Sequence, residues 1–187
     1  MTIRTLRADA ARNRQSLLAA ARAHFARSGE ATGMDEVAAS AGVGVGTLYR
    51  HFATKTELLY ALHAERLAEF AEQATRAGTD TPWDRFAAVV TAMIEAQSTD
   101  LAMADAPSCA VAGTHPELVT AGRAFHQALE MMMARAIASG DLRPGVTLRD
   151  VISLCFNRQL AGNPSGWSSY AGIVLAGLRA PASKASG

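Results

Sequence analysis

Apolar residues recur at intervals of three and four along almost the whole chain, the spacing that gathers side chains on one face of an α-helix. No stretch alternates apolar and polar residues between turn signals as a half-buried strand requires. The pattern predicts an all-α fold of about nine helices. From about Ala8 to Arg27, Leu17, Leu18, Ala21 and Phe25 form one stripe, Arg12, Arg14 and Arg22 are expected on the solvent side, and Ser28-Gly29 ends the helix. A short helix from about Met34 to Ala41 turns Val37, Ala38 and Ala41 inward, with Gly42 able to take the left-handed conformation that closes it. Another runs from Val45 or Gly46 to Phe52, with Leu48 and Phe52 four apart and facing one core.

The later helices are marked by their starts. Thr54 and Glu57 have the spacing of a capping box for a helix reaching about Arg76. Thr81-Pro82-Trp83-Asp84 combines a cap, a first-turn proline and an acid, and His115-Pro116 opens a helix that stops at Ser139-Gly140. Thr147 with Asp150 forms a second capping box after the turn Gly140-Asp141-Leu142-Arg143-Pro144-Gly145. The two last helices are expected from Leu148 to about Ala161 and from about Trp167 to Leu178, joined by the turn Asn163-Pro164-Ser165-Gly166. The Ala, Ser and Lys tail from Pro181 is expected to be disordered.

Charge divides this helical chain unevenly. Residues 1–55 hold eight Lys or Arg and four acids, a net +4, and the remainder holds ten against thirteen, a net −3, giving the overall +1. A basic head on an acidic body suits a phosphate-binding module joined to a domain of another kind, although chance scatter of surface charge yields the same sums. No run approaches the roughly 18 apolar residues that span a bilayer, and Arg4 and Arg7 are not followed by the apolar core of a secretory signal. A cytoplasmic protein with no membrane partner is expected. Cys109 and Cys155 lack the paired spacing of a zinc or redox motif and read as small buried apolar residues. Neither a cofactor nor a metal site is expected.

Two short helices separated by Gly42-Val43-Gly44, behind a longer helix that supplies packing surface, have the arrangement of a helix-turn-helix. Leu48 and Phe52 lock the second helix to the core, which leaves Val45, Gly46, Thr47, Tyr49, Arg50 and His51 for DNA. Taken one at a time, Tyr49 also reads as a half-buried aromatic, His51 as a solvated histidine and Arg50 as an unpartnered surface charge. Their order and spacing favour DNA binding.

Over about Asn13 to Leu62 the chain resembles the tetracycline-repressor (TetR) family. The resemblance is carried by Phe25-Ala26-Arg27-Ser28-Gly29, Met34-Asp35-Glu36-Val37-Ala38 and the block from Ala41 to Phe52 with Lys55, and more weakly by the turn at Ala136 to Pro144. It implies an N-terminal three-helix DNA-binding domain at residues 1–55, a ligand-binding and dimerisation domain at 56–180, and repression of a palindromic operator relieved by a small molecule. It also implies that Thr47 lies near bases or phosphate and that Tyr49, His51 and Lys55 contact phosphates. Gly33 stands where the family often has a Ser or Thr cap, and Gly44-Val45 where it often has Ser-Lys, so Val45 is expected to meet a thymine methyl instead.

In the second half, Phe86, Met93, Met103, Phe125, His126 and Met132 are the candidates for a largely apolar ligand cavity, with His126 and His115 as the polar groups able to orient a ligand. The same residues at helical spacing equally make a plain core. Val151, Leu154, Cys155, Trp167, Val174 and Leu178, on the two terminal helices, are the candidates for a homodimer interface of the kind the family implies, with burial inside one chain as the alternative. The effector itself is not identified. Two other functions remain at this stage: a helical interaction module without inducer response, and an enzyme. No nucleophile elbow, Walker loop, dinucleotide glycine motif or His-x-x-x-His pair supports the enzyme.

Overall fold

The computed structural model describes residues 3–78, 80–99, 115–156 and 165–181. Among them are eight α-helices: α1 Ile3–Ser28, α2 Met34–Ser40, α3 Val45–His51, α4 Lys55–Thr75, α5 Pro82–Thr99, α6 Pro116–Ala138, α7 Leu148–Cys155 and α8 Trp167–Leu178. The fold is all-α. No described helix is long and apolar enough to cross a membrane. The chain forms two compact units, Met1–Glu65 with Asp100–Val119 and Arg66–Thr99 with Thr120–Gly187, so the division falls inside α4 and again inside α6.

The start and stop signals act where the sequence puts them. α1 gives way at Gly29, whose φ of 48° only glycine adopts cheaply. At the end of α2, Gly42 has φ 69°, and the Val43 N–H reaches back to the Ala38 carbonyl at 3.1 Å, which satisfies an otherwise orphaned acceptor and turns the chain towards α3. The Glu57 N–H donates to Thr54 Oγ1 at 3.1 Å, but the Glu57 carboxylate takes its own bond from the Ala53 N–H at 2.7 Å, one residue before the cap. The expected reciprocal box is therefore displaced by one residue. At Thr147 the box is complete, and its bonds from Thr147 to the Asp150 carboxylate hold that acid below its ordinary value.

Leu17, Leu18, Ala21 and Phe25 of α1, Val37 and Ala38 of α2, Leu48 and Phe52 of α3, and Leu58, Ala61 and Leu62 of α4 make one buried cluster in the first unit. In the second unit α5 buries Trp83, Phe86, Val89, Val90, Met93 and Ile94, and it packs on α7 and α8. Phe125 of α6 lies within ring contact of Phe70, at 6.1 Å, and edge-on to Phe156 at 6.4 Å. The end of α8 is pinned: Arg143 N–H donates to the Leu178 carbonyl at 2.9 Å and Ala180 N–H to the Asp141 carbonyl at 2.8 Å.

Three details differ from the sequence-based expectations. α1 begins at Ile3 rather than near Ala8, because the segment before Ala8 holds no glycine or proline to interrupt it. α7 ends at Cys155, and the remainder of the helix expected to reach Ala161 lies in residues 157–164, outside the described residues, as do Asn163 and Pro164 of the turn. Arg14 and Arg22 are not simply solvated: Arg14 pairs with Glu117 at 2.6 Å and Arg22 with Glu65 at 3.1 Å. Of the expected disordered tail, only Pro181 is described; residues 182–187 lie outside.

Candidate nucleic-acid interface

The interface is built on α3, whose two faces differ in kind. Leu48 is fully buried and Phe52, which ends the helix, is nearly so. Burying each of these side chains is worth about 1.5–3 kcal/mol, which fixes how a helix too short to hold itself together rotates on the core. The opposite face is open: Val45 is 39% exposed, Tyr49 46%, and Gly46 and Arg50 are exposed with them. Thr47, His51 and Lys55 are half-buried at its edge.

The contact between Arg50 and Thr47 is a weak one. Arg50 donates to Thr47 Oγ1 at 3.3 Å, a long bond that either partner can exchange for a base or phosphate. Lys55, the first residue of α4, has its ammonium 5.5 Å from the centre of the Phe25 ring, so α1 steers the charge. The Arg14 guanidinium lies 5.3 Å from the Phe52 ring centre while pairing with Glu117. Arg14 thereby ties α1 to the end of the recognition helix, a link that a helical wheel does not contain. Gly33 and Gly44 head α2 and α3 with no side-chain cap, in keeping with the absent Ser or Thr. A β-carbon placed on Gly44 or Gly46 meets nothing within 4 Å.

The residues singled out for a ligand divide into two groups. Phe86, Met93, Phe125 and Met132 are all buried in the second unit, whereas His126 is exposed on α6. His115 belongs to the first unit, half-buried, with its ring 5.3 Å from that of Tyr60. Met103 lies outside the described residues. Among the buried polar side chains that the sequence pattern did not single out is Gln97, at 2% exposure in the last turn of α5. The signal was present, since Trp83, Phe86, Val90, Met93 and Gln97 follow one another at spacings of three and four.

Of the interface candidates, Val151, Cys155, Val174 and Leu178 are buried within the single chain, and Leu154 and Trp167 are half-buried. Tyr170 of α8 donates to the Leu154 carbonyl at 2.9 Å and so joins α8 to α7. The apolar residue that α8 turns outward is Ile173, at 70% exposure. Burial pushes the Cys155 thiol up to about 12, which makes it an unreactive core residue. Cys109 lies outside the described residues.

Two short helices joined by a tight turn, the second seated firmly on the core of the first unit with its other face open, define a helix-turn-helix. Residues 17–62 match the family model for bacterial regulatory proteins of the tetR family, and residues 81–180 match that of the SbtR-like transcriptional regulator C-terminal domain. The chain belongs to the TetR family of DNA-binding transcriptional regulators. A TetR regulatory protein from Mycobacterium vanbaalenii is 30% identical, with a TM-score of 0.68 over 93% of this chain and 99% of that one. A TetR regulator from Streptomyces coelicolor is 27% identical, with a TM-score of 0.67 over 90% and 99%. The transcriptional activator FasR of Mycolicibacterium smegmatis is 42% identical over 72 residues, which are 37% of this chain and 33% of that relative. The match thus spans about a third of FasR's own length.

Proposed function

We propose that this regulator is a repressor that holds a palindromic operator as a homodimer and is released by a small, largely apolar molecule taken up by the second unit. The observation that carries the reading is the two-sided α3: Leu48 and Phe52 hold it from behind while Val45, Gly46, Tyr49 and Arg50 are exposed in front. One such helix reads only a few base pairs, so useful affinity needs a second copy on the neighbouring half-site. The exposed Ile173 of α8 supplies an apolar contact for that copy. Two proteins of the same fold support the two halves of the proposal: CprB of Streptomyces coelicolor, at 21% identity, was solved with its operator, and FadR of Bacillus subtilis, at 18%, with stearoyl-CoA. Effector and operator are coupled reciprocally, typically by about 1–3 kcal/mol. Activation is the second reading, because FasR is described as an activator. Transcription in vitro from a promoter that carries the bound site distinguishes them by its sign.

The test is a titration of duplexes from the neighbourhood of the protein's own gene at several salt concentrations. Lys55→Ala weakens binding to every duplex alike and flattens the slope of log K against log salt by about one per subunit, since one phosphate contact is lost. Thr47→Ala costs about 1–3 kcal/mol on the preferred duplex, little on random DNA, and leaves the slope alone. A Lys55→Ala protein with unchanged affinity and slope overturns the docking of α3 on DNA. An unchanged preference in Thr47→Ala removes that residue from base readout.

A further inference from the structure

The stripe of α5 formed by Trp83, Phe86, Val90, Met93 and Gln97 is buried throughout, and four of its five members are apolar. Trp83 and Phe86 start it with their rings 5.7 Å apart. Gln97 ends it at a position where the helical register calls for a fifth apolar side chain, and its Oε1 is buried with no hydrogen-bond partner among the described residues. Burial without a partner is costly for an amide oxygen, and native proteins keep few such groups. Its neighbour Ser98 is equally buried, yet its hydroxyl is satisfied by the Glu95 carbonyl at 2.9 Å. The missing partner therefore belongs to Gln97 and is not a general property of this turn.

We propose that Gln97 Oε1 is the acceptor that orients the effector, and that the effector is an apolar molecule carrying a hydroxyl or N–H donor. The assignment rests on the effector-responsive reading given above and adds to it the chemistry of the molecule sensed. An apolar body displaces flexible side chains such as Met93 along α5, while the donor supplies the bond that the ligand-free chain lacks. Between two ligands of one size, such a site prefers the one with the donor, because the other leaves the amide as unsatisfied as before.

Matched pairs of compounds test this directly: linear alcohols from hexanol to hexadecanol and aryl-substituted alcohols, each against its own methyl ether. Thermal unfolding of the full chain reports binding. The expected result is at least one pair in which the alcohol binds about tenfold more tightly than the ether, the worth of one net hydrogen bond. In Gln97→Met, which keeps the side chain's length and removes the amide, that preference disappears and the ligand-free protein melts higher than wild type. No preference for the alcohol in any pair, whether through equal binding or through none, overturns the assignment. So does a Gln97→Met protein that melts lower, because the amide would then already have a partner such as a trapped water. Operator binding by the ligand-free wild type separates the two failures: its absence sinks the regulator reading, while operator binding without alcohol preference sinks only the role of Gln97.

Discussion

α3 and α5 use the same helical period for opposite ends. α3 has seven residues, buries Leu48, rests on Phe52 at its end, and exposes the side chains that carry its chemistry. α5 has eighteen, and the polar group with unfinished bonding, Gln97, lies on its buried face. In α3 the core residues only orient, so the face can be read once the orientation is known. In α5 the same positions serve packing and, on the reading proposed here, recognition, so no spacing separates the two roles.

Removing core volume from each unit breaks the comparison most severely. Leu48→Ala and Met93→Ala both truncate fully buried side chains and are each expected to cost about 2–5 kcal/mol. Denaturant titration measures the cost, and operator binding assigns it. Leu48→Ala abolishes DNA binding because the seating of α3 is lost, whereas the folded fraction of Met93→Ala still binds. Equal loss of operator binding in both proteins would show that the two cores do not serve separate faces.

A smaller effect separates inside from outside on α8. Ile173→Arg leaves the fold within about 0.5 kcal/mol of wild type, since the site is exposed, and shifts sedimentation towards the monomer. Val174→Arg, next to it but buried, unfolds the second unit instead. A dimer unaffected by Ile173→Arg removes this face from the interface.

A further effect is absent at neutral pH and is seen only at high pH. Because burial lifts Cys155 from 9.0 to about 12, the folded chain keeps a proton that the unfolded chain releases. The thiol's contribution is complete below pH 9 and declines as pH rises from 9 towards 12. Cys155→Ala should flatten that decline and leave the curve below it parallel to wild type. An identical decline in both proteins would mean that other groups carry it.

The first helices were legible in the sequence because their ends are set by local chemistry. Gly29 and Gly42 stop α1 and α2, and Thr54 starts α4, each from within a few residues of the place it acts. Capping at Thr81 and Thr147 was equally plain. What periodicity does not encode is the neighbour. It gave Arg14 a direction but not Glu117, and it selected Val151, Cys155, Val174 and Leu178 as apolar without telling a partner's surface from the chain's own core. His126 drew notice as the rare polar residue among aromatics, yet it faces outward, while Gln97 was missed because an amide at a core position raises no charge signal.

Gly44 and Gly46 have a consequence for how such a protein changes over generations. Neither has a positive φ, neither would crowd anything with a β-carbon, and Gly46 lies on the exposed face proposed to meet DNA. The scaffold therefore leaves two blank letters at the start of its reading helix. A new side chain there enters the vocabulary of base contacts without disturbing Leu48 or Phe52, and at Gly46 it also relieves a glycine's cost of about 1 kcal/mol within a helix. Operator preference can drift in duplicated copies of this chain while the fold stays fixed, which makes the recognition helix a separately heritable module.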